Sequence, residues 1–71
     1  MKKEIVNLII DEILNHKEEI RRLEIKDRLA YIGFLIQEIS GIPALYFPKK
    51  EAEKIINIIE KEVRLSSGSF S

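Results

Sequence analysis

The chain has 71 residues and a mass of 8.3 kDa, and its 12 basic and 12 acidic residues leave no formal net charge at pH 7. This length accommodates one domain at most. The absence of cysteine excludes disulfide bonds and cysteine-based zinc sites, so we expect stability to depend on dense helix packing or on a partner chain.

The composition favours an all-α protein. Hydrophobic residues make up 45% of the chain and charged residues 34%, with 14 isoleucines but only three glycines and two prolines. Such a mixture is typical of helical bundles; it fits a thermophilic source, and an AT-rich genome equally well. No apolar stretch approaches the roughly 18 residues of a membrane span, and the N-terminus has no signal-peptide pattern. We therefore expect a cytoplasmic protein.

Hydrophobic periodicity predicts a first helix over residues 3–23. Apolar residues recur there at spacings of three and four, which places them on one face of a helix. His16 lies in the same register. The stripe consists of Val6, Ile9, Ile13, Ile20 and Leu23.

A second apolar stripe predicts a helix over residues 27–40. It is rotated by roughly 140° from the first stripe, which favours a break between Leu23 and Asp27 with Asp27 as the N-cap. The alternative is one helix of about 38 residues, because neither Gly nor Pro interrupts the chain between Asn15 and Tyr31. The stripe consists of Ile25, Leu29, Ile32, Ile36 and Ile39.

Glycine and proline residues predict the end of the second helix and the start of a third helix over residues 48–64. Gly41 suits the left-handed position that follows a helix, and Pro43 prevents continuation. Pro48 occupies a first-turn position, which proline tolerates. The third apolar stripe consists of Ala52, Ile55, Ile56, Ile59 and Val63.

The only histidine is the one candidate for a metal ligand. Glu12 lies four residues before His16 and Glu19 three after it, so the three side chains can share one side of a helix. Facing helices of an oligomer would have to complete such a site. A histidine hydrogen-bonded to a neighbouring carboxylate is the preferred interpretation, so we predict neither a metal nor a cofactor.

Catalytic chemistry finds little support in the sequence. Without cysteine, the nucleophile would have to be Ser40 or a serine of the last six residues, and none has a base nearby along the chain. A glycine-rich phosphate loop is also absent from the sequence. We predict that the protein is not an enzyme.

One basic cluster provides an alternative function. Phosphate binding depends on uncompensated positive charge, whereas acidic residues surround this cluster and the chain has no net charge. A small dimeric DNA-binding transcriptional regulator is therefore the alternative and not the favoured interpretation. The cluster consists of Arg21, Arg22, Lys26 and Arg28.

Apolar residues outside the three stripes indicate an interface. Ala30 and Phe34 lie almost opposite the stripe of the second helix, and Gly33 flattens the backbone between the two faces. The connection over residues 42–47 is unusually apolar; it either joins this interface or folds back to cap the bundle. The predicted partner-binding residues are Ala30, Phe34, Leu45, Tyr46 and Phe47.

Together these features predict an all-α chain of three helices in one domain over residues 1–65, followed by a flexible tail over 66–71. We expect a homodimer that buries the isoleucine-rich faces of both chains in a larger helical bundle. The predicted function is that of a small non-enzymatic interaction protein, such as an adaptor, an inhibitor or an accessory subunit. Its predicted partner is protein, through the second apolar face and the aromatic connection.

Overall fold

A computed structural model describes residues 2–63. Over this range the chain forms helices and no strand, which confirms the all-α prediction. Arg64, at the end of the third predicted helix, and the predicted tail over 66–71 lie outside the described residues. The helices are α1 (Lys3–Asn15), α2 (Lys17–Arg21), α3 (Ile25–Ser40) and α4 (Lys49–Val63), and a 3₁₀ turn covers Ala44–Tyr46.

The first predicted helix is interrupted at His16, so one continuous helix over 3–23 is wrong. The His16 backbone has φ −107° and ψ 16°, and its N–H is shared between the carbonyl oxygens of Glu12, at 3.2 Å, and Ile13, at 3.0 Å. The Nδ1 atom of His16 lies 2.9 Å from the same Glu12 oxygen. A side chain that competes for a helix carbonyl opens the hydrogen-bond ladder and bends the helix. Ile20, beyond the bend, still lies fully in the core.

The break before α3 is confirmed, and a single helix over residues 3–40 is excluded. Glu24 is the N-cap residue of α3, and its extended backbone, with φ −67° and ψ 158°, turns the chain into the new helix. Asp27 was predicted as the N-cap but lies in the first turn of α3. Its negative charge is favourable there because it faces the positive end of the helix dipole.

Gly41 ends α3 as predicted. Its φ of 75° lies in the left-handed region that glycine adopts without a Cβ penalty, and its N–H donates to the Gln37 carbonyl at 2.9 Å. The Ser40 hydroxyl donates to the Ile36 carbonyl at 2.6 Å and accepts the Ile42 N–H at 3.1 Å. These bonds satisfy the end of α3 and direct the chain back toward the bundle.

The core lies where α1 packs against α3 and α4, and α2 packs against both of them at one end. Because the three apolar stripes meet each other inside one chain, a contact between two chains must use a different surface from the isoleucine-rich faces expected from the sequence. Within the described part of the chain, every helix is too short or too polar to cross a lipid bilayer. The buried side chains are Val6, Ile9, Ile13, Ile20, Ile32, Leu35, Ile36, Phe47, Ile55, Ile59 and Val63.

Candidate interaction surface

The helix α3 has a buried face and an exposed apolar face. Ile32 is 3% exposed, whereas Phe34 is 59% exposed, because two residues along a helix turn the side chain through about 200°. Ala30 lies four residues before Phe34, so the two share the outer face, and Ala30 is also exposed. The structure thus places both predicted residues on the same exposed surface.

The connection between α3 and α4 folds back onto α3 at Gly33. A Cβ atom built on Gly33 would lie 3.7 Å from the Cβ of Ala44, so the 3₁₀ turn lies beside the helix with room for a methyl group between them. The turn is closed by the Tyr46 N–H, which donates to the Pro43 carbonyl at 2.8 Å. This docking places the turn, with Leu45 and Tyr46, against α3.

Phe47 is a correction to the predicted surface. It is 6% exposed and belongs to the core cluster, whereas Leu45 and Tyr46 are 85% and 74% exposed. The N–H of Phe47 donates to the Ala44 carbonyl at 3.2 Å, and its extended backbone leads out of the turn. The connection therefore caps the core through Phe47, while the two residues before it face solvent.

Leu29 is 49% exposed, although the sequence assigned it to the core stripe. It lies at the edge of that stripe, about 140° around α3 from Phe34. We call the exposed apolar residues on the outer face of α3 and in the 3₁₀ turn the apolar patch. Together they expose on the order of 500 Å², the size of the largest apolar patch on a typical monomer. The apolar patch consists of Ala30, Phe34, Leu45 and Tyr46.

Other exposed apolar side chains are distributed over α1 and α4. Leu8 is 56% exposed on α1, and Ile56 and Ile58 are 38% and 48% exposed on α4. Ile56 and Ile58 are two residues apart and therefore lie on different flanks of their helix. Single exposed apolar residues are normal on protein surfaces and need no binding role.

Arg28, from the predicted nucleic-acid cluster, is half-buried and binds backbone carbonyls. Its Nε donates to Leu23 at 3.0 Å, its Nη1 to Val63 at 2.8 Å and its Nη2 to Arg21 at 2.8 Å. These carbonyls belong to the end of α2, to the turn after it and to the last described residue of α4. The positive charge is favourable at the end of α2 because helix C-termini carry partial negative charge.

Arg21, from the same cluster, connects α2 to α4. Its Nε donates to the Glu62 backbone carbonyl, while Nη2 lies 3.8 Å from the Glu62 carboxylate and Nη1 lies 3.2 Å from the Glu18 carboxylate. Lys17 donates to the same Glu62 carboxylate at 3.1 Å. The charge of Arg21 is therefore compensated by acidic residues of the same chain.

A shallow cavity of about 340 Å³ opens beside these two arginines. Both arginines use their guanidinium groups for bonds within the chain, and the carboxylate of Glu62 adds negative charge to the cavity. Arg22 and Lys26, the rest of the predicted cluster, form no ion pair with residues 2–63. The structure thus divides the cluster into two bound and two solvent-facing side chains. The cavity is lined by Arg21, Arg28, Lys61, Glu62 and Val63.

The structure divides the predicted metal candidates, His16, Glu12 and Glu19, between two contacts. The Nδ1 of His16 lies 3.5 Å from the Glu12 carboxylate, whereas Glu19 accepts a hydrogen bond from the Tyr31 hydroxyl at 3.4 Å. The rings of His16 and Tyr31 have centroids 6.1 Å apart. Burial and the negative charge of Glu19 raise the pKa of Tyr31. Among the residues that the structure describes, no three His, Asp or Glu side chains are grouped to hold a metal ion.

Comparisons with protein families, with curated proteins and with solved structures found no match to this chain. A function must therefore be argued from the chain's own surface. The feature of that surface with the most binding energy to offer is the apolar patch.

Proposed function

We propose that the chain is a small non-enzymatic interaction module that binds a protein partner through the apolar patch. The observation that carries the proposal is the 59% exposure of Phe34 on the outer face of α3. Aromatic residues and their apolar neighbours supply most of the binding energy at the centre of protein interfaces. A small chain that leaves such residues in water gains free energy when a partner covers them.

The size of the patch supports a protein partner. Burying about 500 Å² of apolar surface contributes on the order of 12 kcal/mol before other costs, at about 25 cal/mol per Å². Association loses an estimated 4–15 kcal/mol of translational and rotational freedom. The patch alone therefore offsets much of that cost, and polar contacts around it supply specificity.

Rigid elements hold the patch in place. Phe34 projects from the middle of a 16-residue helix, and the 3₁₀ turn is fixed between its contact with Gly33 and the buried Phe47. A surface that is already ordered loses little conformational entropy on binding. Both halves of the patch are thus prepared for contact without rearrangement.

Site-specific photocrosslinking tests the proposal. A photoreactive phenylalanine analogue in place of Phe34 should form covalent adducts with protein when the full chain is irradiated in an extract of its source cells. The matched control carries the same analogue in place of Leu8, which is similarly exposed, at 56%, but lies on α1. If position 34 gives no more protein adducts than position 8, the proposed function is wrong.

A further inference from the structure

We infer that the partner of the apolar patch is a second copy of this chain, with the two α3 helices crossed face to face; this inference rests on the function proposed above. It comes from a row of four exposed residues along the outer face of α3, each four positions after the last. The row begins with a positive charge and continues with a small and then a large apolar side chain. It ends with a negative charge. Its members are Lys26, Ala30, Phe34 and Glu38.

The row is complementary to itself when it is reversed. A two-fold axis perpendicular to the row, midway between Ala30 and Phe34, turns the row end for end. Lys26 then faces Glu38 of the second copy, and Ala30 faces Phe34 of the second copy. Each position therefore meets the side chain that suits it, which is the property an interface between identical chains requires.

The packing of the two helices follows from the inclination of the row. Rows of residues spaced by four are inclined by about 26° to the helix axis, so parallel rows make two helices cross at about 50°, the commonest class of helix contact. The small side chain of Ala30 leaves room for the ring of Phe34 from the second copy. The exposed 3₁₀ turn lies beside α3 and extends the contact with Leu45 and Tyr46.

The charges at the two ends of the row specify its direction. Within residues 2–63, neither Lys26 nor Glu38 forms an ion pair with its own chain, so both charges are available to a second copy. An axis along the row would instead place Lys26 against Lys26 and Glu38 against Glu38. Like charges in contact oppose association and thereby select one arrangement among alternatives.

The area predicts a weak dimer. A patch of about 500 Å² on each chain buries about 1,000 Å² in total, at the lower limit for a specific protein interface. We therefore expect a dissociation constant in roughly the micromolar range. Sedimentation velocity of the full chain over a concentration series around that range measures this equilibrium.

Charge reversal at the ends of the row is the decisive test. The substitution Lys26→Glu makes both ends of the row negative, and Glu38→Lys makes both ends positive. Each variant alone should associate with itself roughly tenfold more weakly than the wild-type chain. An equimolar mixture of the two should form heterodimers, and the doubly substituted chain should recover self-association, because opposite charges meet again in both cases.

The fold is expected to tolerate both substitutions. Lys26→Glu adds a negative charge near the N-terminus of α3 and Glu38→Lys a positive charge near its C-terminus, which the helix dipole favours at each end. Matched controls reverse exposed charges away from the row, with Arg22→Glu after α2 and Glu53→Lys on α4. These controls should leave self-association unchanged, alone and when mixed.

The outcomes separate the inference from the function on which it rests. If the mixture of Lys26→Glu and Glu38→Lys chains associates no better than either variant alone, the reversed-row arrangement is overturned. If the wild-type chain is monomeric at high micromolar concentration while position 34 crosslinks to a different protein, the second-copy inference is overturned and the proposed function stands. If position 34 gives no specific adduct with any protein, both are overturned.

Discussion

Replacing Arg28 by alanine should destabilise the protein far more than replacing an exposed arginine. The Arg28 guanidinium donates to the carbonyls of Arg21 at the end of α2, of Leu23 in the following turn and of Val63 in α4. Alanine removes all three donors, so these chain segments lose their shared hydrogen-bond partner. The substitution should therefore change the stability of the fold rather than any contact with nucleic acid.

The expected loss is about 3 kcal/mol in the free energy of unfolding. A hydrogen bond to a charged group contributes about 1.5–3 kcal/mol, and two of the three bonds, to Leu23 and Val63, are partly buried. The bond to Arg21 is exposed, so water replaces it at little cost. A domain of this length has a total stability of roughly 4–10 kcal/mol, and a loss of 3 kcal/mol lowers its melting temperature by roughly 12–24 °C.

Urea denaturation followed by far-ultraviolet circular dichroism measures the effect. The control is Arg22→Ala, because Arg22 is exposed and forms no ion pair with residues 2–63; we expect a change within about 0.5 kcal/mol. Arg28→Lys should fall between the two, since an ammonium group lacks the planar fork that reaches several carbonyls. If Arg28→Ala is as stable as Arg22→Ala, the assignment of Arg28 to a structural role is wrong.

Three further predictions concern the connection, the helix end and the tyrosine. Phe47→Ala should lower the free energy of unfolding by about 3–4 kcal/mol because the ring is buried, and a smaller loss in chemical denaturation would contradict its place in the core. Gly41→Ala should lower the free energy of unfolding by about 1 kcal/mol, because φ is 75° at this position. Gly33→Ala should be neutral or should stabilise the protein by up to about 1 kcal/mol, because the added Cβ lies inside a helix and makes only an ordinary contact. Equal effects of the two substitutions would disprove this explanation from backbone conformation. Tyr31 should ionise above its ordinary pKa of 10.0, and Glu19→Gln should lower that pKa. The stability linked to the raised pKa is fully present below the ordinary tyrosine pKa and is lost as pH rises through the folded value. Phenolate absorbance measures the pKa of Tyr31 in a chain that also carries Tyr46→Phe. If Glu19→Gln leaves that pKa unchanged, the contact between Tyr31 and Glu19 is absent.

Local signals in the sequence predicted the ends of the helices well where backbone chemistry decides them. Gly41 adopts the left-handed conformation that its position after an apolar stripe indicates, and the change of stripe direction after Leu23 marks a real break. The stripes themselves identified most of the core, because burial in a helical bundle follows a period of 3.6 residues. Leu29 shows where this rule weakens, since a residue at the edge of a stripe is left partly exposed when no helix covers that edge.

Specific side-chain contacts account for what the sequence did not predict. The bend at His16 depends on a side chain that binds a carbonyl within its own helix, which periodicity does not detect. Arg28 was assigned to the alternative nucleic-acid cluster because basic residues gather along the sequence from Arg21 to Arg28. Its acceptors include Val63, 35 residues away, and only the packing of α3 against the other helices brings the two together.

The exposed surface of the connection follows from the two contacts that fix its ends. Ala44 lies against Gly33, where the 3₁₀ turn approaches α3, and Phe47, three residues later, is held in the core. The two residues between these anchors, Leu45 and Tyr46, are 85% and 74% exposed beside α3. The same packing that completes a small core therefore creates the apolar patch. The exposure of this patch to water is unfavourable, and covering it with a second chain would recover that free energy.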